Sequence, residues 1–255
     1  MLFKAKKIKG YKLNSINGEI GSIRDCYFDD RHWAIRYLVV ETGNWLTGRM
    51  VLISPHSLSH IDMETETIAV SLTKKQIEES PPYDSEKPVS KQYEDAYNNY
   101  YGIPMYWNGP YMWGPYPYIS KKVMDVTGKP EKIEKTWESN LRSTSQVRGY
   151  FLKVNDGEIG HVDDFVIDEE TWAIRYLIVD TRNWLPGKKV LLSPEWIDSV
   201  SWIESKVYVH LDKSVIKQSP DYTEDSMITR DYEAGLHLHY NKDGYWTESD
   251  KPKSH

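Results

Sequence analysis

The chain has 255 residues, of which 39% are hydrophobic and 27% charged, a balance too polar for one large core and suited to two small domains with much solvated surface. A formal net charge of −6 with no long Lys/Arg run argues against a nucleic-acid partner. A single cysteine, Cys26, rules out an intrachain disulfide or thiolate metal cluster and fits a reducing, cytoplasmic setting, and no eighteen-residue apolar window is present to span a bilayer.

The opening MLFKAKKIKGYKLNS is basic but lacks the apolar run of a secretory leader or membrane anchor. KGYKLNS then runs into Asn17-Gly18, a pair that predicts a hairpin closed by a type I′ turn. The return strand, GEIGSIRDCYFDD, contains Gly21, which predicts a bulge or tight bend. Cys26 reads as a small core residue. Asp25 and Asp29, four apart, read as turn-capping groups rather than an acid–base pair or calcium ligands.

AIRYLVVET, residues 34–42, predicts a strand covered on both faces. Arg36 in its middle reads as paired with a nearby acid such as Glu19 or Glu41, because a buried unpaired guanidinium costs several kcal/mol, or else as an exposed anion or partner contact. The NWLTG turn carries Trp45, a candidate for partner contact or for packing on its own domain. RMVLISP is a fourth strand, and SHIDMETETIAVSL gives two shorter ones. TKKQIEESP predicts a short helix stopped by Pro81, and VSKQYEDAYNNYYG a second helix capped by Ser90. Next comes the aromatic, proline-rich YYGIPMYWNGPYMWGPYPY at 100–118.

The chain is written twice. Residue n set against n+139 aligns without a gap from Met1/Asn140 to Trp107/Trp246, with 38 identities in 107 pairs. This implies a tandem duplication and predicts boundaries: copy one at 1–107, a linker at 108–139, copy two at 140–246 and a polar tail at 247–255. The counterparts follow directly: Asp156-Gly157 for the turn, Gly160, Asp164 and Asp168, Arg175 with Glu158 or Asp180 as its acid, Trp184, Pro220 and Thr229. Tyr106 and Trp107 recur as Tyr245 and Trp246, so the first part of the aromatic stretch belongs to the repeat as a C-terminal arm lying on its own domain. The rings of Trp45, Trp184, Tyr106, Trp107, Tyr245 and Trp246 are the candidate partner-binding group. NGPYMWGPYPY has no counterpart and reads as a stiffened linker. His237 and His239 would share a side if extended, but their counterparts Asn98 and Tyr100 are no metal ligands and no third ligand is near, so no metal is expected. No P-loop, dinucleotide fingerprint or nucleophile elbow is present.

The G-Y-x(6)-GEIG-x(3)-D-x(3)-D segment, the WAIRYLVV strand, the NWL-x-G turn and the VLxSP strand make both copies resemble the PRC-barrel family. That family includes the cytoplasmic domain of the photosynthetic reaction-centre H subunit and the C-terminal domain of a ribosome maturation factor. The resemblance implies a mainly β bacterial protein of two small antiparallel β-barrels, each followed by short helices. It also implies a cytoplasmic adaptor or assembly module that binds protein partners, without catalysis or cofactor. The alternative it suggests is a peripheral accessory subunit of a membrane electron-transfer or photosynthetic light-harvesting or reaction-centre complex.

Overall fold

The computed structural model describes residues 1–84, 89–103, 140–181, 188–223 and 226–246. In copy one these form β1 (Leu2–Lys4), α1 (Ala5–Ile8), β2 (Lys12–Ser15), β3 (Gly18–Asp29), β4 (Ala34–Thr42), β5 (Met50–Ile53), β6 (Leu58–Asp62), β7 (Thr67–Val70), α2 (Lys74–Glu78) and α3 (Lys91–Tyr101). Copy two repeats the series as β8 (Leu141–Ser143), α4 (Thr144–Val147), β9 (Phe151–Val154), β10 (Gly157–Asp168), β11 (Ile174–Asp180), β12 (Lys189–Leu192), β13 (Ile197–Ser201), β14 (Lys206–Val209), α5 (Lys213–Lys217) and α6 (Arg230–His239).

The fold is mainly β: two seven-stranded sheets, one in each of two compact units. In the N-terminal unit the strands run β5-β4-β3-β2-β7-β6, and in the C-terminal unit β12-β11-β10-β9-β14-β13. Two expectations need correcting. The sheets are mixed rather than antiparallel, since β2 pairs β7, and β9 pairs β14, in parallel. Each sheet is also an open path rather than a closed barrel. The β6–β7 hairpin returns beside β2 after the turn at Pro55–Ser57, and β5 and β6 become the two ends.

The hairpins form where the glycines predict them, but one residue earlier. Ile16 and Asn17 make the turn, and Gly18, at φ 132°, already pairs with Ser15 as the first residue of β3. Asn17 therefore does not take positive φ. Its side-chain oxygen instead accepts from the Lys74 amide at the start of α2, as Asp156 does from Lys213 at the start of α5. The expected irregularity appears as a register shift in each β2–β3 and β9–β10 pair. A Cβ on Gly21 would lie 1.9 Å from the Glu41 carbonyl oxygen, and one on Gly160 2.0 Å from that of Asp180. Glycine is there because the neighbouring backbone occupies the side-chain position.

β4 is buried on both faces, as its apolar pattern requires. Tyr37 and Val39 pack with Leu52, Tyr83, Val89 and Tyr97, the last of these from α3, while Leu38 and Val40 are buried on the opposite face. Each such side chain contributes about 1.5–3 kcal/mol. α3 starts at Ser90, whose side chain accepts from the Tyr93 amide, and ends at Gly102 in the left-handed conformation. Thr229 caps α6 the same way.

The units do not follow the repeat boundaries. The N-terminal unit comprises Ala5–Ser145 and Glu170–Ala173; the C-terminal unit comprises Met1–Lys4, Gln146–Glu169 and the chain from Ile174 onward. Each sheet thus gains its seventh strand from the other repeat: β8 pairs with the second half of β3, and β1 with the second half of β10. These three-residue strands find free edges there, because β2 and β9 cover only the first halves of β3 and β10. The linker at 108–139 and the tail at 247–255 lie outside the described residues.

Candidate interaction surfaces

The mid-strand arginines are fixed by acids other than the expected ones. Arg36 Nη2 lies 2.8 Å from Asp29, with both side chains almost fully buried, and Arg175 Nη2 lies 2.7 Å from Asp168. Glu19 pairs instead with Lys12 at 3.1 Å and Glu158 with Lys206 at 3.4 Å, in solvent, and Glu41 meets Arg24. The reason is local: Asp29 sits seven residues before Arg36 across the β3–β4 turn, beside it on the adjoining strand. Burial alone would raise the Asp29 carboxyl, but bonds from His32 and the Arg36 charge hold it far below the ordinary range. Asp29 also caps its own turn, as expected, accepting from the Arg31 amide at 2.8 Å, whereas Asp25 does not. Asp25 accepts from Ser143, Thr144 and Ser145 of the other repeat.

In the C-terminal unit, α6 places Glu233 and His237 four residues apart on its buried face. Tyr176 Oη lies 2.9 Å from Glu233 Oε1 and 3.1 Å from His237 Nε2, and His237 Nδ1 reaches the Asp243 carbonyl at 2.8 Å. Tyr245 donates to Glu233 at 2.8 Å, and Arg230 pairs with Glu233 at 3.1 Å. The Arg175 guanidinium stacks 3.9 Å from the Tyr245 ring, and that of Arg230 4.4 Å from the Trp246 ring. Burial, then the Glu233 charge, pushes Tyr245 up to about 12. Burial lowers His237, opposed by its bond to Asp243. Tyr245 and Trp246 are therefore held against their own unit as half-buried rings. His237 and His239 lie on this helix rather than on an extended segment, and His239 Nε2 contacts the Val215 carbonyl. Among the described residues no group of three His, Cys, Asp or Glu is placed to hold a metal ion.

Trp45 is half-buried, with its indole N–H donating to the Ile20 carbonyl and Lys74 over its ring at 5.2 Å. Trp184, Tyr106 and Trp107 lie outside the described residues. Cys26 is a buried thiol on β3.

Among the described residues, one exposed apolar group lies outside the candidates named from the sequence. Phe151, the first residue of β9, is 46% exposed, and Ile203, in the β13–β14 turn, is 99% exposed. Trp202 precedes Ile203 and stands 6.0 Å from Tyr150, ring to ring, while the Phe151 amide bonds the Ser205 carbonyl of the same turn. The signal was available in the repeat. Copy one has Lys12 for Phe151 and Glu64 for Ile203, with Tyr11 and Met63 opposite Tyr150 and Trp202, so the two most exposed positions are charged in one copy and apolar in the other.

The family model of the PRC-barrel domain matches residues 153–216, from β9 through α5. No curated protein matches the chain.

Proposed function

We propose, on the premise that this chain carries a PRC-barrel domain at residues 153–216, that it is a non-catalytic, cytoplasmic adaptor that docks a protein partner. The single observation that carries this is the apolar group Tyr150, Phe151, Trp202 and Ile203. Exposed Phe151 and Ile203 beside the half-exposed rings of Tyr150 and Trp202, grouped at the start of β9 and the β13–β14 turn, have the composition of an interface centre. The duplication supports the reading, because the counterpart positions in copy one show that the fold itself tolerates Lys and Glu there. The half-buried Trp45 is a secondary contact at most, with its N–H already satisfied.

The test is a crosslinked pull-down from native lysate with wild type beside a Phe151→Lys/Ile203→Glu double variant, which installs the residues of copy one. Both sites are exposed, so stability should stay within about 0.5 kcal/mol. A defined partner that wild type retains should fall by roughly tenfold or more in the variant, as removal of a hot spot requires. Equal retention overturns the assignment of this surface. Among the described residues no helix is long and apolar enough to cross a membrane. Service as an accessory subunit of a membrane electron-transfer complex would then use the same surface, and partner-dependent sedimentation with membranes would reveal it.

A further inference from the structure

We propose that each unit carries a built acceptor site for the leading segment of another repeat, so that the two halves of this chain stay assembled without the residues that join them. This stands apart from the adaptor reading, and neither bears on the other's test.

The acceptor in the N-terminal unit is the second half of β3 with Asp25 and Asp30. Its ligand is the segment Asn140–Ser145. Along the strand, Asp29 pairs with Leu141, Phe28 with Arg142 and Tyr27 with Ser143, and the Asp30 amide donates to the Asn140 carbonyl at 2.9 Å. Beyond the strand the ligand turns into α4, and Asp25 meets that turn. Its carboxylate accepts from the Ser143 hydroxyl, the Thr144 hydroxyl at 2.8 Å, and the amide and hydroxyl of Ser145 at 3.2 and 2.9 Å. Arg142 adds an ion pair to Asp30 at 2.9 Å. The tip of the β10–β11 turn joins the same unit: the Ile35 amide donates to the Trp172 carbonyl at 2.9 Å, and Ala34 bridges Ala173.

The C-terminal unit repeats the arrangement with the roles reversed. Leu2 pairs with Asp168, Phe3 with Ile167 and Lys4 with Val166, and the Glu169 amide donates to the Met1 carbonyl at 2.9 Å. Every one of these pairs is the N-terminal set shifted by 139 residues, and Ala34 bridges its own counterpart. Reciprocity of this kind, in which i meets j and the copy of j meets the copy of i, is the signature of two like subunits exchanging an element. The kind of partner the site fits is therefore a second repeat of this chain. Both units recognise a short strand through backbone pairing, and the N-terminal unit adds one carboxylate, Asp25, that reads the hydroxyl-rich turn at Ser143–Ser145.

The experiment places a specific protease sequence between Asn108 and Gly109 and cleaves the folded full chain to completion. Size exclusion with mass detection should show both fragments in one peak with the mass of the uncut protein, parting only in denaturant. Fragments that elute separately at their own sizes overturn the proposal. In the same cleavable chain, Asp25→Ala should raise the concentration at which the cut halves separate by tenfold or more. The ligand-side variant Ser143→Ala/Ser145→Ala, which leaves the acceptor unaltered, should do the same. If both variants hold together as tightly as the parent, the Asp25 assignment is wrong.

Discussion

At the scale of single residues, the strongest commitments are buried charges. Asp29 and Arg36 neutralise each other out of water, and removing one partner strands the other. Asp29→Ala should destabilise the protein by about 3–5 kcal/mol in urea unfolding, whereas an apolar pair such as Asp29→Leu/Arg36→Met should recover much of that loss. The sequence showed that Arg36 needs an acid but not which, because the six intervening residues fold back across a turn whose geometry only the strands determine. His237 gives a pH signature. Burial lowers its pKa in the folded state, so the unfolded chain binds a proton more readily, and stability falls as pH drops below the free imidazole value of about 6.5. His237→Asn, which installs the residue copy one has at Asn98, should flatten that slope in thermal unfolding between about pH 5 and 7. His56, lowered by burial and by Arg36, leaves a remainder.

Among the elements, the glycines of β3 and β10 decide how the strands bend. The Gly160 site has both obstacles at once, a φ of 142° and a backbone oxygen where a Cβ would go. Gly160→Ala should therefore cost about 3 kcal/mol or more by denaturant titration, and Gly21→Ala a comparable amount from the clash alone. These positions were legible in the sequence, as were the strands, the Ser90 and Thr229 caps and the two-sided burial of AIRYLVV, because each rests on local propensity or period. What was hidden is pairing. The Asn17-Gly18 signal located the hairpin, yet the turn slipped back to Ile16–Asn17 once the Asn17 side chain was needed at the start of α2. The parallel β2–β7 contact leaves no trace in either strand's pattern. The apolar group around Phe151 and Ile203 was visible only by comparing the copies, since an isolated exposed Phe or Ile is ordinary on any surface.

For the molecule as a whole, the sequence showed two copies but not that each borrows a strand. Leu2–Lys4 and Leu141–Ser143 have the same local character whichever sheet receives them, so nothing near them reveals the exchange. Its effect should appear at a distance. Phe3→Asp, at a buried position of β1, should speed hydrogen exchange at residues 166–169 while leaving residues 27–30 protected. The exchange also orders events in time. The last helix of copy one, α3, ends at Tyr101, but the N-terminal unit is complete only with Ala173, seventy-two residues later (173 − 101). At 5–20 residues per second that is a wait of roughly 4–14 s on the ribosome, and for about the first 2–8 s of it, until Ser143 is made, the edge of β3 away from β4 is open to other nascent strands. Synthesis rate, crowding and chaperone access during that interval should therefore govern the yield of this protein more than its final stability does.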